Sequence, residues 1–204
     1  MAPGAVKPYK PPATPQGNLN LTDPDSRLLK AARGYVQGYN AQAAVNEEQI
    51  VVAAEITVDA PDFGHLEPMV AALEAELAHA GAEAPAVVAA DAGYWHQQQM
   101  ESVVNRGIQV LIPPDLKNRK GARPGWDRGL YAFMRRVLST ERGGELYRKR
   151  QPMIEPVFAN TKFNRRIDRF QRRGRSAVRS EWRLITATHN LLKLHKHQIA
   201  VAGA

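Results

Sequence analysis

Residues 35–58 read YVQGYNAQAAVNEEQIVVAAEITV, and the class of fold turns on them. Tyr35 to Val45 mixes alternation with β-forming residues, and Gln49 to Val58 is richer still in β-branched ones. The short link Asn46-Glu47-Glu48 joins them as an antiparallel hairpin. Downstream, Asp59-Ala60-Pro61-Asp62 breaks the chain, and Leu66, Met69, Val70, Leu73 and Leu77 then recur at the spacing of one helix face. After Gly81, APAVVAAD (84–91) is a short buried-strand pattern ending at Asp91, followed by Gly93 and a helix from about Trp95 to Asn105. GIQVLIPP (107–114) is one more strand, ended by two prolines that cannot continue a ladder.

A polar, basic loop runs from there to about Gly125, and Asp127 is placed to cap a helix carrying Leu130, Phe133, Met134, Val137 and Leu138. Pro152 and Pro156 predict a helix start, kink or break near Glu155, because Pro156 has no N–H for the Pro152 carbonyl. FNRRIDR and FQRRGRS repeat Phe-x-Arg-Arg at a seven-residue period, which predicts Phe163, Ile167 and Phe170 on one helical stripe with arginines outside it. A last helix carries Trp182, Ile185, His189 and Leu192, with Leu184 and Leu191 beside them. The expected class is α/β, a mixed sheet flanked by helices. Residues 1–26, proline-rich and polar, read as a flexible lead-in to a single domain over 27–204.

Charge divides the chain in two. Residues 1–112 hold 6 Lys+Arg against 13 Asp+Glu, a balance of −7, whereas residues 113–204 hold 22 against 7, a balance of +15. Such polarity points to a polyanion bound by the C-terminal half, and arginine, whose planar fork matches phosphate, outnumbers lysine there. Nucleic acid is the expected partner; a solvated basic surface without a partner is the bland alternative, and a structural protein whose basic face binds an acidic protein is a third reading. Cysteine is absent, so disulfides and thiolate metal sites are excluded, in keeping with a cytoplasmic setting. No apolar run approaches the roughly 18 residues a membrane span needs, and the start has no secretory h-region.

Two carboxylates stand out. Asp91 closes a strand, where open sheets place functional groups, and Glu155 lies on a helix inside a field of arginines. Carboxylates on separate elements beside a basic surface suit Mg2+, a hard cation that needs few protein ligands because water and phosphate supply the rest. Plainer roles compete: Asp91 suits a turn or helix cap, and Glu155 a partner for Arg150 or Lys162. No nucleophile elbow and no P-loop occur. His189 sits on an apolar stripe and reads as a packed histidine rather than a zinc ligand.

The blocks GYNAQAAV, VVAADAGYW, YRKRQPMIEPVFANTKF and EWRLITATHNLLKL resemble the catalytic domain of bacterial insertion-sequence transposases of the DDE class. That resemblance covers Thr22 to Leu194 and implies an RNase H-like fold and metal-dependent DNA cleavage and strand transfer with Mg2+ or Mn2+. It makes Asp91 the second catalytic carboxylate and Glu155 the third, both metal ligands. Tyr147, Arg150 and Lys162 match a Tyr-Arg-Glu-Lys signature that contacts DNA, with Arg165, Arg166, Arg169, Arg172 and Arg173 beside it. Two departures follow. Four residues separate Arg150 from Glu155 where the signature has three, and no Asp here is followed by Gly, whereas the family's first carboxylate sits in Asp-Gly-Thr on a strand before the hairpin. The expectation is the C-terminal part of such a domain, lacking the first strand and first carboxylate and inactive by itself. The alternative is a non-catalytic DNA-binding protein that pairs with a full-length transposase, or with itself, and inhibits assembly.

Overall fold

The computed structural model of the chain describes residues 20–31, 34–115 and 127–202. The lead-in through residue 19 and the basic loop at 116–126 lie outside the described residues.

Strand β1 (Arg27–Ala31) pairs antiparallel with β2 (Gly34–Gly38), and β3 (Asn40–Val45) with β4 (Val51–Thr57). The expected hairpin is therefore present but begins at Asn40. Gly34, at φ 124°, occupies a region open to glycine, and Tyr35 to Gly38 run back along Arg27 to Ala31 instead. The β3–β4 turn is closed by Asn46, whose N–H donates to the Ile50 carbonyl at 3.0 Å and whose Oδ1 accepts from Ile50 N–H at 2.8 Å. Helix α1 (Leu66–His79) buries Leu66, Met69 and Val70 as the spacing requires. Strands β5 (Val87–Ala89) and β6 (Gln109–Leu111) are parallel, joined through a single 3-10 turn (Ala92–Tyr94) and α2 (Gln97–Asn105). Three helices follow: α3 (Gly129–Ser139), α4 (Glu141–Ala159) and, after a π-helical turn at Asn160–Asn164, α5 (Arg175–Ala202).

The class is mixed α/β with five α-helices, as expected. Its strands form three two-stranded pieces rather than one sheet among the described residues. One core, with Leu66, Val70, Met100, Val103, Ile112 and Met134, surrounds β5 and β6. A second, with Val51, Ile56, Val157, Val178, Trp182 and Ile185, lies between the β3–β4 hairpin and α5.

Four local expectations are corrected. The prolines do not break α4, which runs unbroken past both; the Pro152 carbonyl, which Pro156 cannot serve, accepts from Gln49 Nε2 at 2.9 Å. Phe-x-Arg-Arg is not a helical repeat. Residues 165–174 leave the helix, with Arg166 at φ 56°, so Phe163 is 78% exposed while Phe170 packs edge-on against Trp182. Asp127 does not cap α3. Gly129, at φ 60°, turns the chain after it, the N-cap is Arg128, and the Asp127 carboxylate lies 3.9 Å from the Arg128 guanidinium. On α5, Trp182, Ile185 and His189 are buried as the stripe predicts, but Leu192 is exposed because the helix runs beyond the hairpin it packs on. His189 is the packed histidine expected, with Nε2 3.0 Å from the Gln49 carbonyl and Nδ1 3.3 Å from Asn160 Nδ2.

The segment from Asn20 to Ser26, read as the end of the lead-in, is docked. Asp23 is buried, accepting from the Tyr39 hydroxyl at 2.7 Å and from Gly174 N–H at 3.1 Å. Asp25 accepts from Arg175 N–H at 3.0 Å. Two aspartates thus meet the N-terminus of α5, where free N–H groups and the helix dipole favour negative charge.

Candidate functional site

Between β3 and β5 the structure holds a cavity of about 570 Å³, walled by α1 on one side and α4 on the other. Asp91 stands at its rim, two residues past β5. Its Oδ1 accepts from Gly93 N–H at 2.8 Å and caps the 3-10 turn, so the plainer role anticipated for a strand-end aspartate is real. That bond leaves its other oxygen available to the cavity.

Sequence reasoning missed the companion of Asp91. Asp62, passed over as a chain breaker, is held by Asn40 Nδ2 at 2.9 Å and Gln42 Nε2 at 3.0 Å, both donating to Oδ1. A Cβ on Gly93 would sit 3.0 Å from Asp91 Oδ1 and 3.3 Å from Asp62 Oδ2, so the two carboxylates converge on one glycine. Burial, reinforced by the negative charge of Asp62 and Asp91, holds the Tyr94 hydroxyl well above its ordinary pKa. Only the asparagine and glutamine on the facing strand could have signalled this pairing, and neither is unusual in a hairpin.

Glu155 lies elsewhere. It is exposed on α4, while its neighbour Ile154 and Arg150, five residues back, line the cavity. The arginine and lysine offered as its partners face aromatic rings instead: the Arg150 guanidinium lies 5.6 Å from the Tyr147 ring centre and Lys162 Nζ 5.9 Å from that of Phe158. Arg150 Nε is buried without a hydrogen-bond partner. Among the described residues no group of three His, Asp or Glu side chains comes together in a way that could hold a metal ion. The hard oxygens of Asp91 and Asp62 fit Mg2+ as one or two carboxylate ligands do, and Gln42 Oε1, buried beside them without a partner, is a further oxygen donor.

The arginines divide by role. Arg165 turns back on α5, donating to the Ile185 carbonyl at 2.8 Å and to Thr188 Oγ1 at 2.5 Å. Arg166, Arg169, Arg172 and Arg173 are exposed on the 165–174 loop. Its backbone is fixed by acids: Gln171 N–H donates to both Glu181 oxygens at 2.8 and 3.1 Å, Arg172 N–H to Glu181 Oε2 at 2.9 Å, and Gly174 N–H to Asp23. Carboxylates bind the loop's amides while the guanidinium groups face solvent, Arg169 within 3.8 Å of its neighbour Asp168. A loop whose backbone is already fixed has no backbone freedom left to lose when its side chains meet a ligand.

The described residues thus carry a carboxylate pair at the cavity rim and a braced loop of exposed guanidinium groups. Comparison with known families supplies the class: residues 18–191 match the transposase DDE domain, and the chain belongs to that family. Membership implies DNA transposition, and with it DNA as the partner. No curated protein and no solved structure matches the chain. No helix among the described residues is long and apolar enough to cross a membrane.

Proposed function

We propose that this chain is the DNA-gripping part of a DDE transposase machinery and that it does not complete the cleavage and strand-transfer chemistry by itself. The braced loop carrying Arg166, Arg169, Arg172 and Arg173 carries this reading, because its fixed backbone and exposed guanidinium groups suit phosphate rather than a packed interface. Tyr147, Arg150 and Lys162, the signature residues of the resemblance, would add to this grip, Arg150 from the cavity wall.

By the same resemblance Asp91 and Glu155 are the second and third metal-holding carboxylates, an Asp-Gly-Thr carboxylate being the first. Asp62 supports Asp91 at the cavity rim, so those two residues would hold a first Mg2+ while Glu155 waits outside. When bound, the metal would supply Lewis-acid stabilisation of the phosphodiester oxygens. The chain's own residues would orient the DNA: arginines fix the backbone, and the Asp62 carboxylate, held by Asn40 and Gln42, keeps its orientation beside Asp91.

The test is nicking of a supercoiled plasmid in Mg2+ by the purified 204 residues, run beside retention of the same DNA on a gel. Retention with little or no nicking is expected. Robust nicking would refute the incomplete-chemistry reading, and nicking unchanged in Asp91→Ala and Glu155→Ala would remove both carboxylates from the mechanism. The second reading, a non-catalytic partner that inhibits a full-length transposase, draws on the position of Glu155 outside the cavity. It expects DNA retention equal in Glu155→Ala and wild type, and suppression of an active transposase by either.

A further inference from the structure

We infer that the rings of Phe63 and His96 form a stacking surface for an unpaired nucleobase of the DNA strand that reaches Asp62 and Asp91. The site rests on the reading of those two carboxylates as the groups that meet a DNA phosphate, and it extends that reading to the base beside the phosphate. Two loops carry the four residues, and they meet twice. At one point Asp62 and Asp91 converge on Gly93, whose added Cβ would lie 3.3 Å from Asp62 Oδ2 and 3.0 Å from Asp91 Oδ1. At the other, the Phe63 and His96 ring centres lie 4.7 Å apart with their planes tilted by 35°. Phe63 directly follows Asp62, so a phosphate drawn to the carboxylates brings its own nucleoside close to the rings.

Phe63 is 58% exposed, although the loop around it is fixed. Asp62 Oδ1 accepts from Asn40 and Gln42, the Asp62 carbonyl accepts from His65 N–H at 3.1 Å, and the Gly64 carbonyl accepts from Gln99 Nε2 at 2.7 Å. His96 is anchored as well, because it is the N-cap of α2 and its Nδ1 accepts from Gln99 N–H at 3.4 Å. Gln99 ties the two ring-bearing loops together, one through its side chain and the other through its backbone. A phenyl ring backed by an anchored imidazole is set in place before any ligand arrives, so little freedom is lost when a base stacks on it.

Chemistry selects the occupant. A phenyl ring has no donor or acceptor with which to read a groove edge; what it offers is a π-face, and every base has one. In a paired duplex those faces are covered by neighbouring bases. The ligand is therefore a base that has left the stack. Single apolar side chains on a surface need no such account, but Phe63 is held on a braced loop beside the two carboxylates.

The test compares three ligands of equal length, in Mg2+, with the full 204-residue chain: a single-stranded oligothymidylate, the same sugar–phosphate strand without bases, and a fully paired duplex. Wild type is expected to bind the oligothymidylate about fivefold or more tighter than the base-free strand, the lower end of what one stacked base contributes. Phe63→Ala is expected to remove that preference. Its affinity for the base-free strand and the duplex, its slope of log affinity against log salt and its unfolding midpoint are expected to match wild type, since no phosphate contact is lost. Phe63→Trp is expected to keep the preference, and Phe63→Leu, apolar but not aromatic, to lose it. His96→Asn retains a side chain that caps a helix and is expected to weaken the preference by removing the supporting ring. A preference unchanged in Phe63→Ala, a preference kept in Phe63→Leu, or an equal loss of affinity for all three ligands would overturn the site. Loss confined to the duplex would place the ring against paired DNA and overturn it too. If wild type binds with steep salt dependence but without preference, the stacking site fails alone; if it binds none of the three ligands, the DNA reading fails with it.

Discussion

Trp182 is where the last helix meets the hairpin. It is 2% exposed, its indole N–H donates to the Gln42 carbonyl at 2.8 Å, and its ring stacks on Phe158 at 5.8 Å. Trp182→Ala is expected to cost about 3–5 kcal/mol in denaturant unfolding, the range for a large buried aromatic. Because the same tryptophan supports the strand whose Gln42 holds Asp62, the variant should also loosen the cavity rim, read as faster amide exchange at Asn40 to Gln42. Glu55 sets an acid limit. Burial alone would raise its pKa, but hydrogen bonds from Arg179 and Arg183, both at 2.6 Å, prevail and hold it below the ordinary carboxylate value. A folded-state pKa below the unfolded one contributes stability above the unfolded value, and that contribution is lost as pH falls through the folded pKa. Stability should therefore fall as pH drops below about 4.3, the usual glutamate value, and Glu55→Gln should flatten that part of the profile. Residue-level reading found Trp182, His189 and Asp91 because apolar spacing and a strand end mark them. It missed Asp62 and Asp23, since an aspartate in a turn looks the same whether its carboxylate meets solvent or a distant amide.

At the scale of elements, α3 and α4 meet at a glycine. A Cβ on Gly143 would lie 2.1 Å from the Val137 carbonyl oxygen, and Gly143 N–H donates to Thr140 Oγ1, the N-cap of α4. Gly143→Ala is expected to destabilise by about 1–3 kcal/mol through overpacking, measured as a lower unfolding midpoint. Here the proline rule misled: α4 continues through Pro152 and Pro156 because a side chain from the hairpin turn, Gln49, serves the carbonyl the second proline leaves unpaired. A partner 103 residues away is invisible to any local reading. The same is true of the arginine repeat. Its seven-residue period fits a helix, but Glu181, Asp23 and Asp25 capture the amides of Gln171, Arg172, Gly174 and Arg175 and favour a loop. Apolar periodicity located helices α1, α2 and α5, and α2 to within two residues, whereas the ends of α5 were not legible and Leu192 of its stripe is exposed. Strand pairing was half legible, because register depends on which edges meet, and β2 met β1 rather than extending β3.

For the whole molecule, the division of charge seen in the sequence is also a division of labour in space. The acidic half supplies the carboxylates of the cavity rim, and the basic half supplies α4, the arginine loop and α5. Acids from the first half also brace the second, with Asp23 and Asp25 at the start of α5 and Glu55 between Arg179 and Arg183. DNA binding should therefore depend on salt and on four exposed arginines while the fold does not. The measurement that tests this most directly is the affinity of the 204-residue chain for a duplex across a range of salt concentrations, with wild type beside the variant carrying alanine at 166, 169, 172 and 173. The account predicts a steep linear fall of log affinity with log salt, and a slope smaller in the variant by about 0.9 for each phosphate that is no longer neutralised, at an unchanged unfolding midpoint. A flat salt response, or equal slopes in the two proteins, would contradict it.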